Sequence, residues 1–232
     1  MESHNNLRTL YKIGGVTALL QLTTVVGLIV ISFTMGPRPT GVQEFFDLYQ
    51  QNKLVGLVQD DFTSLLLIVL YMGTYPALFY ALRRVNFAWA TLATLFTFVA
   101  VAICASTQAS FSLMHLSDLY AAASTEAQRA LYLAAGEAVL ASDMWNSSGA
   151  YLSGILLQGG GVIISLVMLR SKQFSKVTVI SGLLGNGLDL VQHLLHPFAP
   201  SISASLQMVM GPFYLVWFPM LARDLFRFKE DL

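Results

Sequence analysis

Charge is what this sequence has least of. Asp, Glu, Lys and Arg make up 11% of its 232 residues, where a water-soluble domain carries roughly 25%. So little charge cannot cover a surface that faces water, and a hydrophobic share of 55% leads to the same conclusion. The composition therefore points to a multi-pass membrane protein, with 1–232 as one integral membrane domain and little chain to spare for a soluble one. Neither sign of charge is in excess, since 13 bases balance 13 acids. Nothing in that balance suits a nucleic-acid partner.

Cysteine is nearly absent. Cys104 stands alone in an apolar run, so it has no partner for an intrachain disulfide and reads as a small packing residue. Cysteine spacings for zinc or iron–sulfur clusters are missing, as is an HExxH helix. The glycines follow no strand, so they are packing residues rather than a phosphate loop.

What is present is a set of long apolar runs. A span needs roughly 20 residues, and spans are expected at about 13–35, 58–82, 87–107, 147–169, 177–196 and 203–222. The first run is too long for a signal-peptide core and reads as a retained helix. Gln21, Thr23 and Thr24 near its middle are expected to bond to neighbouring helices. Two shorter helices, at about 41–51 and 125–145, are expected on one face of the membrane. The first carries Phe45, Phe46 and Tyr49 beside Glu44 and Asp47, a surface-lying pattern. The second opens on Thr125-Glu126-Ala127-Gln128, a capping-box pattern. Gly211-Pro212 is expected to interrupt the last span. The fold class is thus all-α, a bundle of six transmembrane helices with amphipathic helices over the outer face.

Basic residues set the orientation. Six spans would place Arg8, Lys12, Arg83, Arg84, Arg170, Lys172, Lys176, Arg223, Arg227 and Lys229 on one side, and only Arg38, Lys53 and Arg129 on the other. Both termini are therefore expected in the cytoplasm of a cell whose plasma membrane holds the protein. Most of the acids fall in the outer half, which favours a cation or a hydroxyl-rich guest there over an anion.

The most informative stretch is GLLGNGLDLVQHLLH, residues 182–196. Gly182, Asn186, Asp189, His193 and His196 recur at spacings of three and four, so on a helix they form one polar stripe. Such a stripe cannot face lipid. With Val177 at the membrane surface, Asp189 lies about 18 Å deep in a core of about 30 Å. A candidate ligand-binding cleft is accordingly lined by Asp61, Tyr71, Tyr75, Glu137, Asn186 and Asp189. It would open outward and accept a small or lipidic ligand without any cofactor.

A second chemistry fits part of the stripe. Asp189, His193 and His196 give D-x-x-x-H-x-x-H, and carboxylate and imidazole ligands at that spacing can meet a zinc ion. Asp61, His115, Asp118 or Glu137 would then complete the site of a metal-dependent intramembrane lipid hydrolase. In a third reading the stripe is an interhelical hydrogen-bond network in a structural or assembly protein whose only partner is the bilayer.

Four segments carry a family likeness: EFFDLYQQNKLVGLVQDD (44–61), YALRRVN (80–86), LSDLYAAASTEAQRALYLAAGEAVLA (116–141) and ISLVMLRSKQFSK (164–176). In these the chain resembles the prokaryotic integral-membrane family catalogued as domain of unknown function 4386. The resemblance implies a membrane architecture and a bacterial or archaeal source. It assigns no chemistry to any residue.

Overall fold

A computed structural model describes residues 2–60 and 62–228, with side chains from residue 6 onward. Asp61, one of the expected cleft residues, lies outside the described residues. Those described form eleven helices and no strand. They are α1 (Glu2–Met35), α2 (Val42–Gln51), α3 (Lys53–Gln59), α4 (Phe62–Val69), α5 (Tyr71–Leu82), α6 (Phe87–Thr107), α7 (Ser110–Ala122), α8 (Glu126–Ala141), α9 (Ser148–Met168), α10 (Lys176–Leu195) and α11 (Pro200–Arg227).

The starts of these helices follow from local chemistry. The first amides of a helix lack backbone partners, and a short polar side chain just before it accepts from them. Asn52, Asn86, Thr125, Ser147 and Ser175 do so for α3, α6, α8, α9 and α10.

Five helical stretches are long and apolar enough to cross a membrane: Asn6–Met35, Phe62–Leu82, Phe87–Ala122, Ser148–Met168 and Pro200–Arg227. Their outward faces carry exposed Val30, Phe33, Leu95, Val99 and Leu166, an apolar surface that only lipid accommodates. The chain is a membrane protein. Helix α10 has 20 residues, but its polar stripe makes it less apolar than the other five.

Several local expectations change. The span expected at about 58–82 is found as Phe62–Leu82, α4 and α5 joined by a one-residue turn at Leu70, while α3 ends ahead of it at Gln59. Helix α11 runs through Pro212 and Pro219 without a break. In apolar surroundings, keeping every other backbone bond is worth more than relieving two prolines. Thr23 and Thr24 donate to their own helix, at Leu19 O and Leu20 O, rather than to a neighbour. Of that trio only Gln21 reaches across, accepting from Thr74 Oγ1 at 3.0 Å.

Two cores hold the molecule together. The main one lies among α1, α5, α6, α9, α10 and α11 and is built on Tyr75, Leu78, Ile164, Met168, Trp217 and Phe218. The second caps one end of the bundle, where Val42, Phe45, Phe46 and Tyr49 of α2 pack with Leu113 of α7 and Leu140 of α8. The apolar face of α2 is therefore spent on α7 and α8, not on the membrane surface. Helix α7 has no counterpart in the sequence reading. It is short, and its serine-rich run lacks a pronounced apolar stripe. The opposite end of the bundle carries the loops with Arg83, Arg84, Arg170 and Lys172.

Helix α10 sits between α9 and α11, and glycine lets α9 approach it. A Cβ on Gly154 would collide with the His193 ring, and one on Gly161 would collide with Asn186. Small residues at such crossings let polar side chains meet inside the bundle.

Candidate functional site

Asp189 is the centre of the site. It is 5% exposed and faces α9 and α11. Tyr214 Oη of α11 lies 2.9 Å from Asp189 Oδ2, 3.0 Å from Gln158 Oε1 of α9 and 3.5 Å from Asn186 Oδ1. A phenol has one proton, so Tyr214 donates to the carboxylate. Turning the Gln158 amide over presents its NH2 to the Tyr214 oxygen and completes the chain. Asn186 fixes the inner end by donating from Nδ2 to Gly182 O at 2.7 Å.

The other carboxylate oxygen is less well served. His193 Nδ1 is 3.0 Å from Asp189 Oδ1 and also 3.0 Å from the Asp189 backbone carbonyl oxygen. The ring N–H is aligned with the carbonyl. Asp189 Oδ1 therefore has the His193 ring beside it but no aligned hydrogen-bond donor, and it is buried. A buried carboxylate oxygen without a donor is costly.

Asp189 also lines a cavity of about 300 Å³. One wall is polar, made by Asp189, Gln192, His193 and Gln158. The facing walls are apolar, with Val25 and Leu28 of α1, Leu67 and Ile68 of α4 and Met210 of α11. The Trp145 indole N–H, buried and without a hydrogen-bond partner, stands at the rim. Two further cavities, of about 200 and 480 Å³, share Trp145 and Gln192 with the first and extend past His196 toward the capped end. An apolar pocket with a few convergent polar groups is the usual form of a small-molecule site.

The expected cleft residues divide. Asp189 and Tyr71 line the cavity, and Asn186 joins its hydrogen-bond chain through Tyr214. Tyr75 lies behind Tyr71, ring against ring at 5.7 Å, and does not reach the cavity. Glu137 is exposed on α8 and lines no part of it.

The expected metal set divides as well. Asp189 and His193 meet, but His196 is the C-cap of α10 and faces Ser203 Oγ at 3.5 Å. Ser203 in turn accepts from Gln192 Nε2 at 2.8 Å. Among the described residues no three His, Cys, Asp or Glu side chains are placed to share a metal ion. Asp118 pairs with Lys53 at 2.7 Å in the cap, away from the stripe. Cys104 is buried against Ser153, with Sγ 3.3 Å from Oγ.

Two features escaped the sequence. Gln158 and Tyr214 are the partners of Asp189, and their one signal was a polar group inside an apolar span. The second feature is a clamp in the cap. Arg38 Nη2 lies 2.9 Å from Asp60 Oδ1 and 2.8 Å from Asp143 Oδ2. Tyr49 Oη donates to Asp60 Oδ2 at 2.8 Å. Burial raises the Tyr49 hydroxyl well above its ordinary pKa, which keeps it a donor. Asp143 Oδ1 accepts from the backbone amides of Trp145 and Asn146, at 2.8 and 3.0 Å. The clamp therefore holds in place the loop that carries Trp145 to the rim of the cavity.

No curated protein and no solved structure matches the chain. The model of the family described as Domain of unknown function (DUF4386) matches residues 60–222, well over half of the chain, and the protein belongs to that family.

Proposed function

We propose that this protein is a non-catalytic integral membrane protein of the plasma membrane that binds a small or lipidic ligand in an outward-opening polar cleft. The observation that carries the reading is the buried Asp189 Oδ1, left without an aligned donor beside a cavity with apolar walls. A guest that donates a hydrogen bond, through a hydroxyl or an amine, would satisfy that oxygen while its apolar part fills the remaining space. Trp145 would supply a donor to the same guest at the rim.

The reading includes six spans, with α10 as the fifth in chain order. Its length is sufficient, and its buried stripe of Asn186, Asp189 and Gln192 is directed at other helices rather than at lipid. An even number of spans puts both termini on one side, and the basic residues favour the cytoplasm for that side. The capped end, with Trp145 and His196, then faces outward.

Thermal unfolding in detergent, with and without total membrane lipid extract, tests the binding. The extract is expected to raise the midpoint of the wild type and of Glu137→Gln, but not that of Asp189→Asn. An equal rise in Asp189→Asn would remove Asp189 from any binding role. A reporter active only outside the cytoplasm, fused after Leu232, is expected to stay silent. Activity there would overturn the six-span count.

A further inference from the structure

The opposite, basic end of the bundle carries a second site, independent of the Asp189 cavity. Between α6 and α9 lies a groove of about 400 Å³ whose walls are almost wholly apolar, formed by Trp89, Ile163, Leu166 and Leu169. Leu166, Leu169 and Trp89 are exposed along it. Trp89 stands two residues into α6, the depth at which indole rings sit at a membrane–water boundary. Arg170 closes the upper end of the groove.

Arg170 also lines an adjacent cavity of about 310 Å³, together with Arg84, Lys172, Ser171 and Tyr80. One cation thus belongs to both spaces. Among the described residues no carboxylate lies within ion-pair reach of Arg170 or Lys172. The buried acid that the described residues place at this end of the bundle is already engaged. Asp224 takes Arg223 at 2.9 Å and the Ser175 amide at 2.8 Å, and it accepts from Thr178 Oγ1. Among the described residues, Arg170 and Lys172 are thus left without an anionic partner.

A guest that fits both spaces must be anionic at one end and aliphatic at the other. We propose that this end of the bundle binds an acidic phospholipid, with its phosphate between Arg170 and Lys172 and an acyl chain in the groove between α6 and α9. Charge complementarity selects the headgroup, and the join at Arg170 selects a lipid over a free anion. Basic pockets between transmembrane helices suit acidic headgroups in this way. Arg170 can hold two phosphate oxygens at once through its planar fork, while Lys172 acts as a point charge.

The test is lipid titration of the purified full chain by native mass spectrometry, comparing phosphatidylglycerol with phosphatidylcholine of the same acyl chains. The wild type is expected to bind phosphatidylglycerol more tightly. Arg170→Gln with Lys172→Gln should weaken that binding by about 30-fold and leave phosphatidylcholine binding unchanged. Both side chains are exposed, so the double variant retains the fold. Arg129→Gln, a basic residue in the cap, should bind like the wild type. Equal affinity for the two lipids in the wild type would overturn the proposal, as would an equal loss in Arg129→Gln. Glycerol phosphate without acyl chains is expected to bind far more weakly. If it binds as tightly as the lipid, the site takes a soluble anion and the lipid assignment fails. The Asp189→Asn variant should bind phosphatidylglycerol as the wild type does, which separates this site from the cleft.

Discussion

The cap and the middle of the bundle both bury carboxylates, and they treat them differently. In the cap, Asp60 and Asp143 are each 1% exposed and flank Arg38. All four of their oxygens have a hydrogen-bond donor, from Arg38, Tyr49, or the backbone and side chain of the Trp145–Asn146 turn. In the bundle, Asp189 is also buried, at 5% exposed, but only Oδ2 has an aligned donor. Neither Asp60 nor Asp143 lines any of the cavities described above, whereas Asp189 lines one. On the proposed reading, the contrast separates carboxylates that build structure from one that a guest would complete.

The comparison can be broken first at Arg38. Replacing it with Met leaves two buried carboxylates without a cation, which should cost about 3–5 kcal/mol of stability. Denaturant unfolding in detergent would show this, and a cost as small as that of an exposed ion pair would make the clamp ornamental. Tyr49→Phe should cost about 1.5–3 kcal/mol, the value of a hydrogen bond to a charged group. It should also change the pH dependence. The folded-state pKa of Tyr49 is raised above its ordinary value of 10.0. Its contribution is therefore fully present below that pH and is lost as the pH climbs above it, because the unfolded phenol ionises first. The wild type should lose stability more steeply than Tyr49→Phe in that alkaline range.

In the bundle the expected effects are smaller. Gly154→Ala pushes a methyl group into the His193 ring and should cost about 1–3 kcal/mol. Asp189→Asn keeps the contact with Tyr214 and removes a half-satisfied charge. Without ligand it should change stability by no more than about 1 kcal/mol. A large loss in Asp189→Asn, comparable to that of Arg38→Met, would mean that both carboxylates are structural.

The ease of reading these regions from sequence follows the range of their interactions. Helix α10 and its stripe were legible because Gly182, Asn186, Asp189 and His193 lie within one helix, and spacing alone puts them on one face. Helix α2 was legible in extent for the same reason, but not in its surroundings, since only the folded chain brings α7 and α8 to it. Glu137 is expected in the cleft, yet α8 buries Gly136 against Val42 and leaves Glu137 in the open. The clamp was illegible because Arg38 meets acids 22 and 105 residues away. Tyr214 and Gln158 were visible as polar residues within apolar spans, but nothing local joined them to Asp189. His196 shares a face with His193 by spacing, but the helix ends beneath it and Ser203 is its neighbour.

The central claim is that the Asp189 cavity holds a guest through the carboxylate oxygen that has no aligned donor within the chain. Native mass spectrometry of protein released from its own membranes tests it most directly. The wild type and Glu137→Gln should carry an additional bound mass that Asp189→Asn lacks. The same bound mass, at the same occupancy, on all three proteins would contradict the account.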